Sequence, residues 1–452
     1  MLLDAAFDAS PRDLREHWRP VASLALITVA LTVAAVAVTA RWLVPELPWP
    51  AAIALGAIVA PPDAAAATAV LRQLRPPHRL LVILEGESLF NDASALLIYR
   101  LAVGATAAGA ISGWGIVPLL LLVTIGSIVL GLALAHITIW VNRRIQDVAT
   151  AVIVQFIGVF GVWIIAERLH LSPILTMVVF AMSVARTAPD ILPARIRIPS
   201  YAVWEVAVFV LNALAFILVG LQLKPIVQQL DRGDLLDYTR IALIVCAAVI
   251  LVRIVWAMGA AAVRGPRTPQ ARRHAIVVAW CGMRGTVTLA AALALPADFP
   301  HRDLILFTSF LVVLVTLVVQ GLTLKPLMSR LGLEQDDEVE REVRLARLET
   351  LRAGAAALAD GTVKSEATDL LRRKYRVRLE QAEARVDGGR RSPGAPNRER
   401  EYANAARSAM AAERRRLSAL RADGTIGDDA FHKVEEELDR AELSAEAMDP
   451  ED

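Results

Sequence analysis

The chain has 452 residues, of which 56% are hydrophobic and only 21% charged, and its net charge at pH 7 is +2. Residues 333–452 hold 22 Lys and Arg with 28 Asp and Glu, whereas residues 1–332 hold 26 and 18. This division argues against a purely soluble enzyme, a disulfide-rich secreted scaffold and a nucleic-acid binder. It predicts an all-α membrane domain at 1–332 and a charged helical domain at 333–452. Cys246 and Cys281 lie in apolar runs, which is typical of core residues rather than of a disulfide or metal site.

Ten apolar segments are candidates for helices that cross a bilayer, where the backbone must satisfy its own hydrogen bonds. They are residues 21–40, 50–71, 80–104, 115–141, 147–166, 171–185, 201–223, 241–263, 274–295 and 303–323. The sixth is the shortest and begins near a proline. Residues 1–10 carry two aspartates and no positive charge, which does not resemble a signal peptide.

Positively charged residues are concentrated in every second connecting loop, and this pattern predicts the orientation of the chain in the membrane. The loops on one side hold 15 Lys and Arg in total, and those on the other side hold 6. Because positive loops are retained in the cytoplasm, we expect ten crossings with both chain ends, and hence the charged tail, on the cytoplasmic side.

Polar groups at membrane depth are costly, so their positions indicate function. In the second segment Pro61 and Pro62 precede Asp63, and two prolines in succession break a helix. A broken helix with an acid at the break leaves carbonyls and a carboxylate around one point, which is typical of cation sites in transporters. A purely structural role for Asp63, as a cap on the second half-helix, is the alternative.

The third segment begins with a polar run from Glu85 to Asp92. Helical spacing places Glu85, Ser88 and Asp92 on one face, with Glu87 and Asn91 on the adjacent face. Glu85 lies near a basic loop and is expected at the interface. Asp92 lies deepest and is the best functional candidate.

The ninth segment carries Arg284 between Gly282 and Gly285. Glycines loosen a helix and allow close approach, while a permanently charged guanidinium at this depth requires a carboxylate. We expect that carboxylate to be Glu87.

Three further polar residues lie in the seventh and eighth segments. They are Glu205, Asn212 and Arg253. Structural hydrogen bonds between helices and a direct functional role are equally open for these three.

The two broken segments are seven apart in order, so they run in opposite directions through the membrane. That arrangement indicates inverted repeats whose interrupted helices meet near the midplane. A complete pair of six-helix repeats would require three more helices before residue 21, roughly 75 residues at the usual length of a helix and loop.

Four stretches together resemble bacterial sodium/proton antiporters of the cation:proton antiporter-1 family. They are Gly56 to Leu71, Glu85-Gly86-Glu87-Ser88-Leu89-Phe90-Asn91-Asp92, Trp204-Glu205 through Asn212 to Gly220-Leu221, and Gly282-Met283-Arg284-Gly285. The Asn-Asp pair after Gly-Glu-Ser is the specific part. The tail is also similar to the cytosolic end of bacterial members.

The resemblance implies a thirteen-helix inverted-repeat fold in the bacterial inner membrane, usually a homodimer, that exchanges Na⁺ for H⁺ electroneutrally. It implies a transporter rather than an enzyme, with the bilayer as partner and no cofactor beyond the transported ions. Members commonly carry Thr-Asp-Pro at the first break, where this chain has Pro62-Asp63-Ala64. The threonine oxygen is therefore missing as a ligand, and the start of the chain resembles the family's third helix.

The hypothesis for exchange is competition between Na⁺ and H⁺ for Asp92. Asp63 and the carbonyls around Pro61 would supply further oxygens. Ser88 would add a hydroxyl, and Asn91 would stabilise the break. Arg284 would hold Glu87 ionised.

Three alternatives remain open: a potassium/proton antiporter, a truncated regulatory paralogue that does not transport, and an intramembrane aspartyl hydrolase. The hydrolase would leave Arg284 and the inverted repeat unexplained. In the tail, a turn at 359–363 recurs at 422–426 on the other side of a linker at 387–397, which predicts two helical hairpins.

Overall fold

The computed structural model describes residues 15–63, 67–68, 71, 76–108, 113–228, 232–264, 269–332, 338–360, 366–386 and parts of 409–440. Every element in this part of the chain is a helix, which confirms the all-α class. The chain divides into two compact units, Met1–Asp336 and Asp337–Asp452. The stretch 1–14, the linker at 387–397 and most of the two similar turns lie outside the described residues.

The helices of the first unit match the ten apolar segments in order. They are α1 (Trp18–Leu43), α2 (Trp49–Val59), α3 (His78–Ala108), α4 (Gly113–Asn142), α5 (Val148–Arg168), α6 (Pro173–Ile191), α7 (Ala194–Gln228), α8 (Arg232–Arg264), α9 (Pro269–Trp280), α10 (Thr286–Leu293) and α11 (Arg302–Leu331). The second and ninth segments are interrupted, so the ninth becomes the pair α9 and α10.

Among the described residues, six helices are long and apolar enough to cross a membrane. They are α1, α11 and parts of α4, α5, α7 and α8. The other predicted crossings are short (α6), charged (α3) or broken (α2, and α9 with α10), which is why length and hydropathy alone do not select them. The chain is therefore a multi-pass membrane protein. The number of ten crossings stays a prediction.

The two interrupted helices meet at their breaks. The chain leaves helical geometry after Val59 and is helical again at Ala67, while residues 281–285 between α9 and α10 are non-helical. The backbone N–H of Asp63 donates to the carbonyl of Met283 at 2.7 Å, joining one break to the other. The predicted crossing of two broken helices is confirmed.

Close packing holds α2 at this position. A Cβ on Gly56 would lie 2.7 Å from the carbonyl oxygen of Val33, so α1 and α2 approach to backbone contact at this point. One apolar cluster packs α1, α2, α3, α8, α10 and α11 together, and a second packs α3, α9 and α11 with Leu24 and Leu71. The broken helices are thus held between two apolar clusters.

Two π-helical turns occur within the long helices, Ser23–Thr28 in α1 and Thr316–Gln320 in α11. A π-helical turn interrupts the regular α-helical hydrogen-bond pattern of the backbone. At each of the two turns a hydrogen bond to a residue outside the helix is formed. Ser94 on α3 donates to the carbonyl of Ala25 at 2.9 Å. Thr316 contacts the second break, as described below.

The second unit contains α12 (Glu338–Asp360) and α13 (Glu366–Val386), packed side by side. Gly354 allows the close approach, because a Cβ there would lie 2.6 Å from the ring of Tyr375. Arg372 on α13 donates to the carbonyl of Leu358 at 2.8 and 3.0 Å. Most of the other described side chains of this pair are exposed, and many of them are charged.

Candidate functional site at the helix crossing

Asp63 lies at the first break and contacts the second. Pro61 and Pro62 are buried, and neither supplies a backbone N–H. Gly285 passes so close that a Cβ there would lie 1.6 Å from Oδ2 of Asp63. Only glycine fits at position 285, and the Asp63 carboxylate is therefore held against the backbone of the opposite broken helix.

Asp92 on α3 is 6% exposed, and its carboxylate is near enough to Asp63 for the two negative charges to repel each other. Asn91 is fully buried; its Nδ2 donates to the carbonyl of Pro62 at 3.4 Å, which ties α3 to the first break. The Oδ1 of Asn91 has no hydrogen-bond partner among the described residues. Ser88, one turn before Asp92, is half-buried on the same face.

Arg284 binds backbone carbonyls. It is 1% exposed, and its Nε donates to the carbonyl of Val59 at 3.0 Å and its Nη2 to that of Ala60 at 3.3 Å. Its Nη1 donates to the carbonyl of Gly282 within its own break. The guanidinium thus binds the carbonyl groups that the end of α2 leaves without helical partners.

The expected pairing of Glu87 with Arg284 is wrong. Glu87 forms a two-point ion pair with Arg253 on α8, Nη1 to Oε1 and Nη2 to Oε2, the latter at 2.8 Å. Arg253 also donates to the carbonyls of Val278 and Cys281 at 3.0 to 3.3 Å. The reason is geometric: Arg284 is turned toward α2, whereas α8 packs against α9 and brings Arg253 to Glu87.

The seventh and tenth segments hold one predicted residue whose role stays open and two polar residues that the sequence analysis did not single out. Asn212 on α7 is half-buried, and its Oδ1 has no partner among the described residues. Sequence reasoning missed Thr316, whose Oγ1 accepts the backbone N–H of Arg284 at 3.1 Å. It also missed Gln320, one turn later, which is fully buried with both amide atoms unpartnered in the described structure. A polar residue in an apolar run was the only available signal for either.

The arrangement can bind a small cation through oxygen. Such an ion prefers hard oxygen ligands. Two neighbouring carboxylates, the carbonyls at the break and Oδ1 of Asn91, which has no partner among the described residues, are ligands of this kind. The two buried arginines are engaged elsewhere, by Glu87 and by backbone carbonyls. Their positive charge therefore supports the two breaks.

Comparison with known proteins identifies a family model and sequence relatives for this chain. The family model for the sodium/hydrogen exchanger transmembrane domain matches residues 1–330. An uncharacterized Na⁺/H⁺ exchanger of Mycobacterium tuberculosis is 29% identical, over 99% of this chain and 85% of its own. The Na⁺/H⁺ antiporter NhaG of Bacillus atrophaeus is 30% identical, over 76% of this chain and 64% of its own. 

One solved structure and one further relative are also similar to this chain. The structure of the sodium proton antiporter MjNhaP1 from Methanocaldococcus jannaschii shares the fold, with a TM-score of 0.58 at 19% identity, over 73% of this chain and 83% of that one. A Bacillus pumilus relative, 28% identical over 82% of this chain and 59% of its own, is named a sodium, potassium, lithium and rubidium/H⁺ antiporter.

Proposed function

Because the chain belongs to the sodium/hydrogen exchanger family, we propose that it exchanges Na⁺ for H⁺ with Asp92 as the carboxylate for which the two ions compete. Proteins of this family are cation/proton antiporters and not enzymes. The observation that carries the choice of Asp92 is its burial beside a second acid, Asp63, at the crossing of the two broken helices.

Two neighbouring buried carboxylates are costly when both are ionised and unaccompanied. Either a proton on Asp92 or a cation between Asp92 and Asp63 removes that cost. Each ion excludes the other, because Asp92 must lose its proton to bind Na⁺ and must release Na⁺ to be protonated again. Such competition couples the two fluxes and moves one positive charge in each direction.

The surrounding residues supply the remaining ligands and fix their positions. Asn91 offers its Oδ1, which has no partner in the part of the chain that the structure describes, and Ser88 offers a hydroxyl from the same helix. Arg284 holds the carbonyls of Val59 and Ala60, so the first break keeps its shape while ions come and go. Glu87 is committed to Arg253 and does not join the transported site.

Transport by alternating access requires the broken helices to move against a scaffold. In this proposal the moving part contains α1–α3 and α8–α11, which share the two apolar clusters. Helices α4–α7 form the scaffold; in α4, α5 and α7 only a small share of the apolar stretch is buried.

The test is Na⁺-driven pH change in proteoliposomes that contain the full chain. Asp92→Asn removes the exchangeable proton and is expected to abolish the signal, whereas Glu85→Gln, seven residues earlier on α3, is expected to preserve most of it. Full activity of Asp92→Asn would rule out the assignment. Both variants should elute as wild type on gel filtration, which separates loss of transport from loss of folding.

Potassium is the second candidate ion, because the Bacillus pumilus relative is named for K⁺ as well as Na⁺. The same proteoliposomes, with Na⁺, Li⁺ or K⁺ as the driving cation, decide between them. A signal with K⁺ equal to that with Na⁺ would replace Na⁺/H⁺ exchange by broader monovalent-cation exchange at the same aspartate.

The proposal also includes a location in the bacterial inner membrane, a cytoplasmic tail and a homodimer. Protease added to sealed inside-out vesicles should remove residues 333–452, and a protected tail would contradict the orientation. Native mass spectrometry of the purified chain should give twice the mass of one chain.

A further inference from the structure

Four helices of the first unit end together at one face. Helix α4 ends at Asn142 and α5 begins at Val148, while α6 ends at Ile191 and α7 begins at Ala194. An apolar cluster of Ala151, Ala188, Leu192 and Ile196, with Ile145 and Val148 packed against it, joins the two connections. The loops 143–147 and 192–193 therefore lie side by side.

By the length and apolar composition of its helices, this face is expected at the surface of the bilayer. Three of the apolar helices that are long enough to cross a membrane have an end here, at residues 142, 148 and 194. Arg144 donates to the carbonyl of Trp140 at 2.9 Å, and its guanidinium carbon lies 3.6 Å from the centroid of the indole ring. Tryptophan with a neighbouring arginine is typical of the level of lipid headgroups.

The face is strongly basic. The segments 143–147 and 186–197 contain five arginines and two aspartates. Arg143, Arg144, Arg186 and Arg195 are exposed. One of the aspartates, Asp147, accepts hydrogen bonds from the backbone and side chain of Thr150 at 2.8 Å and caps α5. Anionic lipid is attracted to such a surface, and guanidinium groups bind phosphate well.

A buried amide at the same place adds a second and independent observation. Asn142 is 6% exposed, and its Oδ1 has no hydrogen-bond partner in the described part of the chain. It lines a small cleft of about 10 Å³ with Ile139, Val184, Ala188, Ile191 and Leu192. Space of this size holds roughly one water or one hydroxyl group, and an unpartnered acceptor requires a donor there.

We infer that this face binds the headgroup of an anionic phospholipid that carries hydroxyl groups, such as phosphatidylglycerol. The arginines contact the phosphate, and a headgroup hydroxyl donates to Oδ1 of Asn142. The preference for positive residues in cytoplasmic loops would explain the arginines of this face. It does not explain why the buried acceptor Oδ1 of Asn142 lies beside them. A lipid is favoured over free phosphate because the face lies where apolar helices leave the bilayer.

The experiment measures lipid bound to the purified full chain in detergent, by native mass spectrometry and by the melting midpoint. The probes are phosphatidylglycerol, phosphatidic acid, phosphatidylcholine and inorganic phosphate. The variants are the pair Arg143→Gln with Arg195→Gln, the near-isosteric Asn142→Leu, and the control Arg168→Gln. Arg168 is also exposed but ends α5 at the opposite face.

Wild type and the Arg168 control should retain phosphatidylglycerol best, phosphatidic acid less and phosphatidylcholine least. The Arg143 and Arg195 pair should weaken the binding of both anionic lipids by roughly thirtyfold, because two surface charges are lost. Asn142→Leu should remove the preference for phosphatidylglycerol over phosphatidic acid. Equal retention of phosphatidylcholine, equal loss in the Arg168 control, or stabilisation by inorganic phosphate alone would overturn the lipid site. If Asn142→Leu keeps the preference for phosphatidylglycerol over phosphatidic acid, no headgroup hydroxyl binds Asn142. A single water would then be the partner of its Oδ1.

Discussion

Arg253 on α8 and Glu87 on α3 form a buried two-point ion pair, with side chains that are 1% and 2% exposed. The same guanidinium donates to the carbonyls of Val278 and Cys281, which end α9 at the second break. Three elements are therefore joined by one side chain. Gly282 makes this possible, because a Cβ there would lie 2.5 Å from Cδ of Arg253.

Breaking this ion pair from one side should destabilise the protein strongly. Arg253→Gln leaves Glu87 buried without its partner, and a buried unpaired charge costs about 3–5 kcal/mol. We expect a clear drop in the melting midpoint in detergent. Arg240→Gln, an exposed change on the same helix, is the control and should have almost no effect.

The double variant Glu87→Gln with Arg253→Gln should recover part of that loss, since neither charge is then left alone. If the double variant loses at least as much stability as the two single variants lose in sum, the two residues do not act as a pair.

Gly285→Ala should disable transport while the protein still folds. The added Cβ would lie 1.6 Å from Oδ2 of Asp63, so the carboxylate must leave its position. Misplacement of a reacting group by about 1 Å can cost on the order of a hundredfold in rate. Gly158→Ala on α5, where nothing lies within 4 Å of the added Cβ, is the matched control. Na⁺-driven pH change in proteoliposomes measures both variants, and equal activity would show that Asp63 tolerates displacement.

Arg284→Ala should reduce stability more than it changes ion selectivity. The carbonyls of Val59 and Ala60 would lose their donor in a buried place, each at a cost of about 1–3 kcal/mol. Arg284→Lys keeps the positive charge but loses the several N–H donors of the guanidinium. Its stability should therefore lie between that of wild type and that of Arg284→Ala. The readouts are the melting midpoint and the ratio of Na⁺ to Li⁺ transport. A stable Arg284→Ala protein with altered selectivity would place this residue in the ion site instead.

The positions of the helices can be predicted from the sequence, but the residues at which they begin and end cannot. Hydropathy marks the apolar middle of a helix, so the seventh segment was predicted at 201–223 whereas α7 runs from Ala194 to Gln228. Its first turns carry Arg195 and Arg197, which hydropathy assigns to a loop. Prolines and glycines predicted both breaks correctly, because their effect on a helix is local.

Partners across helices could not be predicted in the same way. Two buried arginines were available for Glu87, and the choice depends on the rotation of α8 and of the second break, which no local pattern encodes. The π-helical turn at Thr316–Gln320 has no sequence signature either, yet it brings Thr316 to the backbone of Arg284. Roles that depend on packing are thus the ones that sequence reasoning missed.

Two neighbouring polar residues on α11 should respond to substitution with opposite signs. Thr316 accepts from Arg284 and donates to the carbonyl of Val312 at 2.7 Å, so Thr316→Val leaves a buried N–H without an acceptor. Gln320, one turn later, has both amide atoms buried and unpartnered among the described residues. Thr316→Val should lower the melting midpoint, whereas Gln320→Leu should raise it by the equivalent of about 1–3 kcal/mol.

The comparison also tests whether Gln320 contacts water or ions during transport. If the amide has no partner in any state, Gln320→Leu keeps its transport rate while gaining stability. If it hydrates the path of the ion, stability rises but Na⁺-driven pH change slows, because an apolar side chain replaces a polar one. A fall in melting midpoint as large as that of Thr316→Val would contradict both outcomes and require a permanent partner for the Gln320 amide.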